Sequence, residues 1–200
     1  VRYDATHKQQ TRQRVLRAAA KAIRSEGAHR VGVAGVMREA GLTHGGFYAH
    51  FDSKDALVVA AIEQMFEESI EHWERETRGR GDAEGLAAYI DLYLSEKHRD
   101  RPGTGCPIAA LACELPRLDA AAREAFAAGS RRLTDALAQP LSRLGHADAP
   151  ALAASVLAEL VGALALARCE SDRARSNSLL TASRNALRRR LGLNCKEQPA

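Results

Sequence analysis

Gly41-Leu42-Thr43-His44-Gly45-Gly46-Phe47-Tyr48-Ala49-His50-Phe51-Asp52-Ser53-Lys54-Asp55-Ala56-Leu57 is the stretch that decides the fold. Gly41 supplies the left-handed residue that a tight turn after a helix requires, and Leu42 plugs that turn. Thr43 stands as N-cap of a very short helix over 44–50, which closes at Phe51-Asp52-Ser53. Just upstream, Val33, Val36, Met37 and Ala40 share one face of a short helix over 33–40. Two short helices joined by a glycine-containing turn describe a helix-turn-helix, in which the second helix enters the DNA major groove while the first crosses it.

Outward from this stretch the punctuation stays helical. A first helix begins near Thr6, where Thr6-x-x-Gln9 suits a capping box, carries Val15, Leu16, Ala19 and Ile23 at helical spacing, and ends at Gly27. Asp52 or Ser53 caps a long fourth helix that runs to about Glu76, with Leu57, Ala61, Met65 and Trp73 on one face and acidic residues opposite. Gly79-Arg80-Gly81-Asp82 breaks it. Further helices are expected over 83–97, 107–115, 119–143, 150–170 and 174–190, with Pro116 stopping the second of these and Gly192 the last. The tail from Asn194 to Ala200 is expected to fray. The expected fold is all-α with about nine helices: a three-helix head over 1–53, then a larger helical body over 54–200.

Composition agrees. Aromatics make up only 4% of the 200 residues while Ala, Leu and Arg dominate, which favours helix over sheet. No apolar run is expected to reach the roughly 18–20 residues that span a bilayer, and the first residues lack the apolar core of a signal peptide, so no membrane partner and a cytoplasmic setting are expected. Cys106, Cys113, Cys169 and Cys195 form no C-x-x-C pair and have no histidines at zinc spacing. Neither a disulfide framework, a metal nor a cofactor is expected. Residues 1–55 hold ten Lys/Arg against five Asp/Glu, net +5, and four of the seven histidines (His7, His29, His44, His50), whereas the remainder nets −1. Such a distribution suits a segment that meets a polyanion, and equally a solvated basic surface.

The 41–57 segment and the upstream Thr11-Arg12-Gln13-Arg14-Val15-Leu16-Arg17-Ala18-Ala19 together resemble the signature of the tetracycline-repressor (TetR) family over roughly residues 8–60. The turn, the glycine-plus-aromatic recognition helix, the Tyr-x-His-Phe element and the Ser-Lys start of the next helix occur together and in order. The sequence departs from the pattern at Gly32 and Gly35, near positions where many members carry Thr or another helix former. The resemblance implies a homodimeric repressor that binds a near-palindromic double-stranded DNA operator and is released by a small-molecule inducer or by thiol modification.

Each signature residue then has an expected task. Thr43 caps the recognition helix and presents its hydroxyl to a phosphate, while Gly45 and Gly46 let backbone amides approach DNA closely. Tyr48 and His50 resemble the family's DNA-contacting aromatic and imidazole. Lys54 pairs with a phosphate or is simply solvated, and Arg30, Arg38 and His44 are further candidates for groove or backbone contacts. Phe47 and Phe51 belong to the core of the head.

In the body, Ala154, Ala158, Gly162 and Ala165 form a ridge of small side chains over which another helix can approach closely. In the family the last two helices pair with their copies across a dimer interface; the same ridge suits packing within one subunit equally well. Met65, Phe66, Trp73, Tyr89, Tyr93, Cys106 and Phe126 are candidates to line an inducer cavity between the fourth helix and the body, or are ordinary core. Gly105-Cys106-Pro107 resembles a Gly-Cys segment of a TetR subgroup, some members of which respond to electrophiles or oxidants. A thiol there is either activated at a helix N-terminus or buried and inert. Cys113 is expected seven residues on along the same helical face.

Two rivals come from other classes: an enzyme using Cys106 with His98 or His146 as base, and a helical interaction module that has lost DNA binding. No catalytic motif supports the first, and the intact turn with Tyr48-Ala49-His50 argues against the second.

Overall fold

The computed structural model describes residues 2–193, with side chains from residue 6 onward. Its helices are α1 (Arg2–Glu26), α2 (Val33–Glu39), a 3-10 recognition helix (His44–Ala49), α3 (Lys54–Thr77), α4 (Asp82–Tyr93), α5 (Glu96–Arg99), α6 (Pro107–Leu111), α7 (Ala120–Arg143), α8 (Ala149–Cys169) and α9 (Arg173–Arg190), with 3-10 turns at Pro102–Thr104 and Leu115–Arg117. There is no strand among the described residues. The expected Asn194–Ala200 tail and Cys195 lie outside the described residues.

Several boundaries differ from expectation, each for a local reason. α1 runs back to Arg2, so Thr6 lies inside the helix instead of capping it. Ser53, not Asp52, caps α3, its Oγ accepting the Ala56 N–H at 3.0 Å. The helix expected over 83–97 is interrupted because Ser95 Oγ accepts the His98 N–H at 3.1 Å, closing α4 and starting the one-turn α5; a serine that bonds its own backbone competes with helix continuation. The helix expected over 107–115 stops at Leu111. Cys113 therefore lies beyond α6 and is exposed, whereas Cys106 is buried, and the two do not share a helical face.

The chain divides into two compact units, Val1–Ser69 with Pro102–Ser130, and Ile70–Arg101 with Arg131–Ala200. α3 and α7 each contribute residues to both.

In the first unit α1 packs against α2, and Val15, Leu16, Ala19 and Ile23 of α1 are buried, as are Met37, Phe47 and Leu57. Arg24 is the exception in this core: its guanidinium, 7% exposed, donates to the Met65 carbonyl at 3.1 Å and pairs with Glu68 at 2.7 Å. Burial of a charge is tolerated only when it is paired and hydrogen-bonded in this way. The segment after α6 returns to the end of α1, where a Glu114 carboxylate oxygen accepts the Ala28 N–H at 3.0 Å. Gly27, at φ +88°, sits against that carboxylate so closely that an added Cβ would lie 2.3 Å from an oxygen. Phe66 and Phe126 meet edge to face with centroids 5.3 Å apart, directly over Gly129.

In the second unit α8 packs on α9, and both meet α4. Charged side chains hold the four-residue α5, which is too short to be stable by its own hydrogen bonds. Arg99, 5% exposed, donates to Ser176 Oγ at 2.8 Å and to the Asp100 carboxylate. Arg173 of α9 donates to both oxygens of Asp100 at 2.8 Å, and Arg168 of α8 donates to the carbonyls of His98 and Arg99. Trp73, Tyr89 and Tyr93 form an aromatic row with successive centroids 4.8 and 5.9 Å apart.

By length and composition α8 could cross a membrane, with mean hydropathy 1.9 over its most apolar stretch, a more apolar helix than the sequence reading anticipated. Glu159, at its middle, pairs with Arg190 of α9 at 3.0 Å. Only 39% of that stretch is buried, and Ala154, Ala158 and Leu166 are exposed along it.

Candidate nucleic-acid interface

The turn between α2 and the recognition helix forms as the glycine predicts. Gly41 has φ +72°, its N–H donates to the Arg38 carbonyl at 3.0 Å, and the Leu42 N–H reaches back to the Met37 carbonyl at 2.9 Å. These bonds satisfy carbonyls that the end of α2 would otherwise leave bare. Gly32, one of the two departures from the family pattern, is the N-cap of α2, a position where glycine is well tolerated.

The recognition helix is a 3-10 helix, and this corrects the expectation about Thr43. Thr43 occupies the N-cap position but its side chain makes no capping bond; the Gly46 N–H takes the Thr43 backbone carbonyl instead, at 3.1 Å. Two consecutive glycines lower helix propensity, and one short i to i+3 turn satisfies the backbone without the side chain. The Thr43 hydroxyl is thereby left exposed on the outer surface together with His44 and Gly45.

Below that surface lies the core of the head. Phe47 is 2% exposed and stacks on Phe51 with centroids 5.8 Å apart, so both phenylalanines serve packing, as expected. Tyr48, the next residue, is 70% exposed and touches Phe47 only edge to face. A Cβ added at Gly45 would meet nothing within 4 Å. Nothing within the protein therefore requires a glycine there.

The other candidates spread around this face. Arg30 follows α1, Arg38 lies on α2, and both are exposed. Lys54 Nζ, at the start of α3, donates to the His29 carbonyl at 3.3 Å. It is one wall of a small pocket of about 150 Å³, together with Asp55, Arg117 and Asp119. His50 is half-buried and its Nδ1 is buried without a hydrogen-bond partner. Burial, then the positive charges of Lys8 and Arg12, hold its pKa below the ordinary 6.5, so the ring is neutral at pH 7. The effect of Lys8 and Arg12 on His50 was not legible in the sequence, because only the fold brings the first half of α1 near the end of the recognition helix.

The body candidates fall in separate units: Met65, Phe66, Cys106 and Phe126 in the first, Trp73, Tyr89 and Tyr93 in the second. All but Trp73 are buried. No cluster of side chains able to hold a metal ion occurs among the described residues.

Residues 15–61 match the model of bacterial regulatory proteins of the TetR family. Residues 83–184, half of the chain, match the LmrA/YxaF-like C-terminal domain of transcriptional regulators. The chain belongs to the TetR family of transcriptional regulators. Solved TetR regulators are similar throughout. One from Chloroflexus aurantiacus J-10-FL is 25% identical with TM-score 0.79, covering 94% of this chain and 96% of that one. One from Agrobacterium tumefaciens is 26% identical with TM-score 0.74, covering 90% and 98%. The reduced form of E. coli NemR shares the fold at 22% identity and TM-score 0.78, covering 90% and 96%. No curated protein matches the chain. This TetR regulator is accordingly a DNA-binding transcriptional regulator, of a family whose members bind operators, are typically dimers and are typically not enzymes.

Proposed function

We propose that the protein is a cytoplasmic, homodimeric repressor without enzymatic activity, in which residues 1–53 bind a near-palindromic operator and residues 54–200 carry dimerisation and ligand response. The observation that carries this reading is the contrast on the recognition helix, where Tyr48 is 70% exposed beside a buried Phe47, and Gly45 opens space that the protein itself does not use. A large aromatic left in water beside a bare backbone suits a surface completed by DNA. Thr43, His44, Gly45, Gly46, Tyr48 and His50 are its contact residues, with Arg30, Arg38 and Lys54 around them.

Dimerisation through α8 and α9 is supported by the exposed, small-residue face of α8. Two-fold symmetry would hold two recognition helices about one DNA turn, roughly 34 Å, apart. A small apolar ligand that shifts them from this spacing lowers DNA affinity, and by linkage the operator-bound form binds that ligand less well. Met65, Phe66, Phe126, Trp73, Tyr89, Tyr93 and Cys106 remain the candidate lining. Modification of the Cys106 thiol is the second route to release; its burial, 7% exposed, restricts it to small reagents.

Selection of bound duplexes from a random DNA pool tests the reading. A near-palindromic consensus, bound by wild type and lost on Tyr48→Ala, is the expected result. Failure of the folded, dimeric protein to enrich any site would sink it.

A further inference from the structure

Resting on the operator-binding reading and deepening it, we propose that Glu114 is a positioning residue. Its carboxylate fixes the corner between α1 and α2, and so holds the helix-turn-helix at the orientation that sets the accepted spacing between operator half-sites. α1 closes its own end with one bond, from the Gly27 N–H to the Ile23 carbonyl at 2.9 Å, with Gly27 in the left-handed region at φ +88°. An end of this kind leaves the next N–H, that of Ala28, unused by the helix. Ala28 is 2% exposed, so water does not serve this donor. Glu114 supplies the acceptor, Oε2 at 3.0 Å, from 86 residues along the chain. A buried N–H left without a partner is costly, which makes the contact obligatory.

Further contacts make this corner a junction. Lys54 Nζ, at the first residue of α3, donates to the carbonyl of the adjoining His29 at 3.3 Å. Consecutive residues of the corner are thus held by α3 and by the segment after α6. Further back along α1, Gly103 packs so closely that a Cβ there would lie 2.7 Å from Ser25 Oγ and 3.2 Å from Lys21 Cγ. Lys21 in turn pairs with Glu39, the last residue of α2, at 2.7 Å. The segment that carries Gly103 and Glu114 therefore grips the end of α1 at two places, close to the links that tie it to α2 and α3. Beyond Glu114, Asp119 caps the long α7, its Oδ1 accepting the Ala122 N–H at 2.7 Å. Only residues 30–32 separate His29 from α2, too short a link for the helix-turn-helix to swing independently of the corner. A bond that merely stabilised α1 would alter the melting temperature alone. One that orients the head also alters which half-site spacing is accepted, because that spacing is set by the geometry of the two recognition helices.

The test uses the full-length protein and its selected operator. Two altered duplexes carry one base pair more or one fewer between the half-sites, which displaces them by about 3.4 Å and about 35°. Binding to all three is titrated for wild type, Glu114→Ala, Glu114→Asp and Glu114→Gln. The Ala variant removes the acceptor and the Asp variant withdraws it by one methylene, whereas Gln keeps a carbonyl oxygen at the same reach. Val15→Ala, a buried change in α1 away from the corner, controls for lost stability alone. Glu114→Ala and Glu114→Asp are expected to weaken binding to the selected operator by about tenfold and to reduce the preference for it over the altered spacings by about fivefold. Glu114→Gln keeps the wild-type preference, and Val15→Ala weakens binding without changing it. Should the Ala variant fail to fold, the Asp variant decides by the same measurement. A wild-type spacing preference in Glu114→Asp, or an equal loss of preference in Glu114→Gln or Val15→Ala, would overturn the positioning role while leaving operator binding intact. Absence of any operator for the wild type would instead overturn the regulator reading on which this role rests.

Discussion

Phe47 and Tyr48 are neighbours in the chain with opposite fates, one at 2% and the other at 70% exposure. Substitutions at the two should therefore separate stability from binding. Tyr48→Ala is expected to leave the melting temperature within about a degree or two, since exposed positions contribute little to folding, while operator affinity falls by about tenfold or more. Calorimetry and binding titration on the same preparation check both halves. Gly27 is the converse case. Its φ of +88° and the Glu114 carboxylate against it leave no room for a side chain, so Gly27→Ala is expected to destabilise the protein by about 1–3 kcal/mol. Urea unfolding would show this, and a change under half that range would mean that Glu114 swings away without loss. The glycine at this turn was legible as a helix terminator. Its second role was not, because Glu114 is 86 residues away in sequence.

At the scale of elements, pattern reading located the long helices well and the short ones poorly. α7, α8 and α9 fall within a residue or so of expectation, since their apolar period repeats over several turns. α5 was read as the tail of a longer helix. Its independence comes from Ser95, and its place from Arg99, Asp100, Arg168 and Arg173, contacts that no local pattern contains. The hydrogen bonds from Arg173 and Arg99 hold the Asp100 carboxyl far below its ordinary pKa of 3.8. A depressed folded-state pKa means stability that is fully present above the unfolded value and lost as pH falls towards the folded one. Asp100→Asn is thus expected to lower the melting temperature by a constant amount at neutral and mildly acidic pH. The gap from wild type should narrow progressively below about pH 4. A gap independent of pH down to acid unfolding would assign the loss to shape and not to charge.

For the whole molecule the surface proposed for dimerisation is the outer face of α8. Leu166 is 60% exposed on a helix of mean hydropathy 1.9, an arrangement suited to a subunit interface. Leu166→Glu should leave the helical spectrum intact, convert dimer to monomer in sedimentation equilibrium, and weaken operator binding together with the loss of the dimer. A Leu166→Glu protein that remains dimeric would remove this face from the interface. The sequence by itself determined the all-helical class, the helix-turn-helix and the family, because each rests on short-range features: apolar periods, a glycine at one turn, and a signature of contiguous residues. Tertiary structure alone decided that the recognition helix is a 3-10 helix, that Glu114 closes the end of α1, and that Arg24 of α1 is buried against α3. Those outcomes depend on which distant charges and hydrogen-bonding groups packing brings within a few ångströms, and local periodicity holds no record of that.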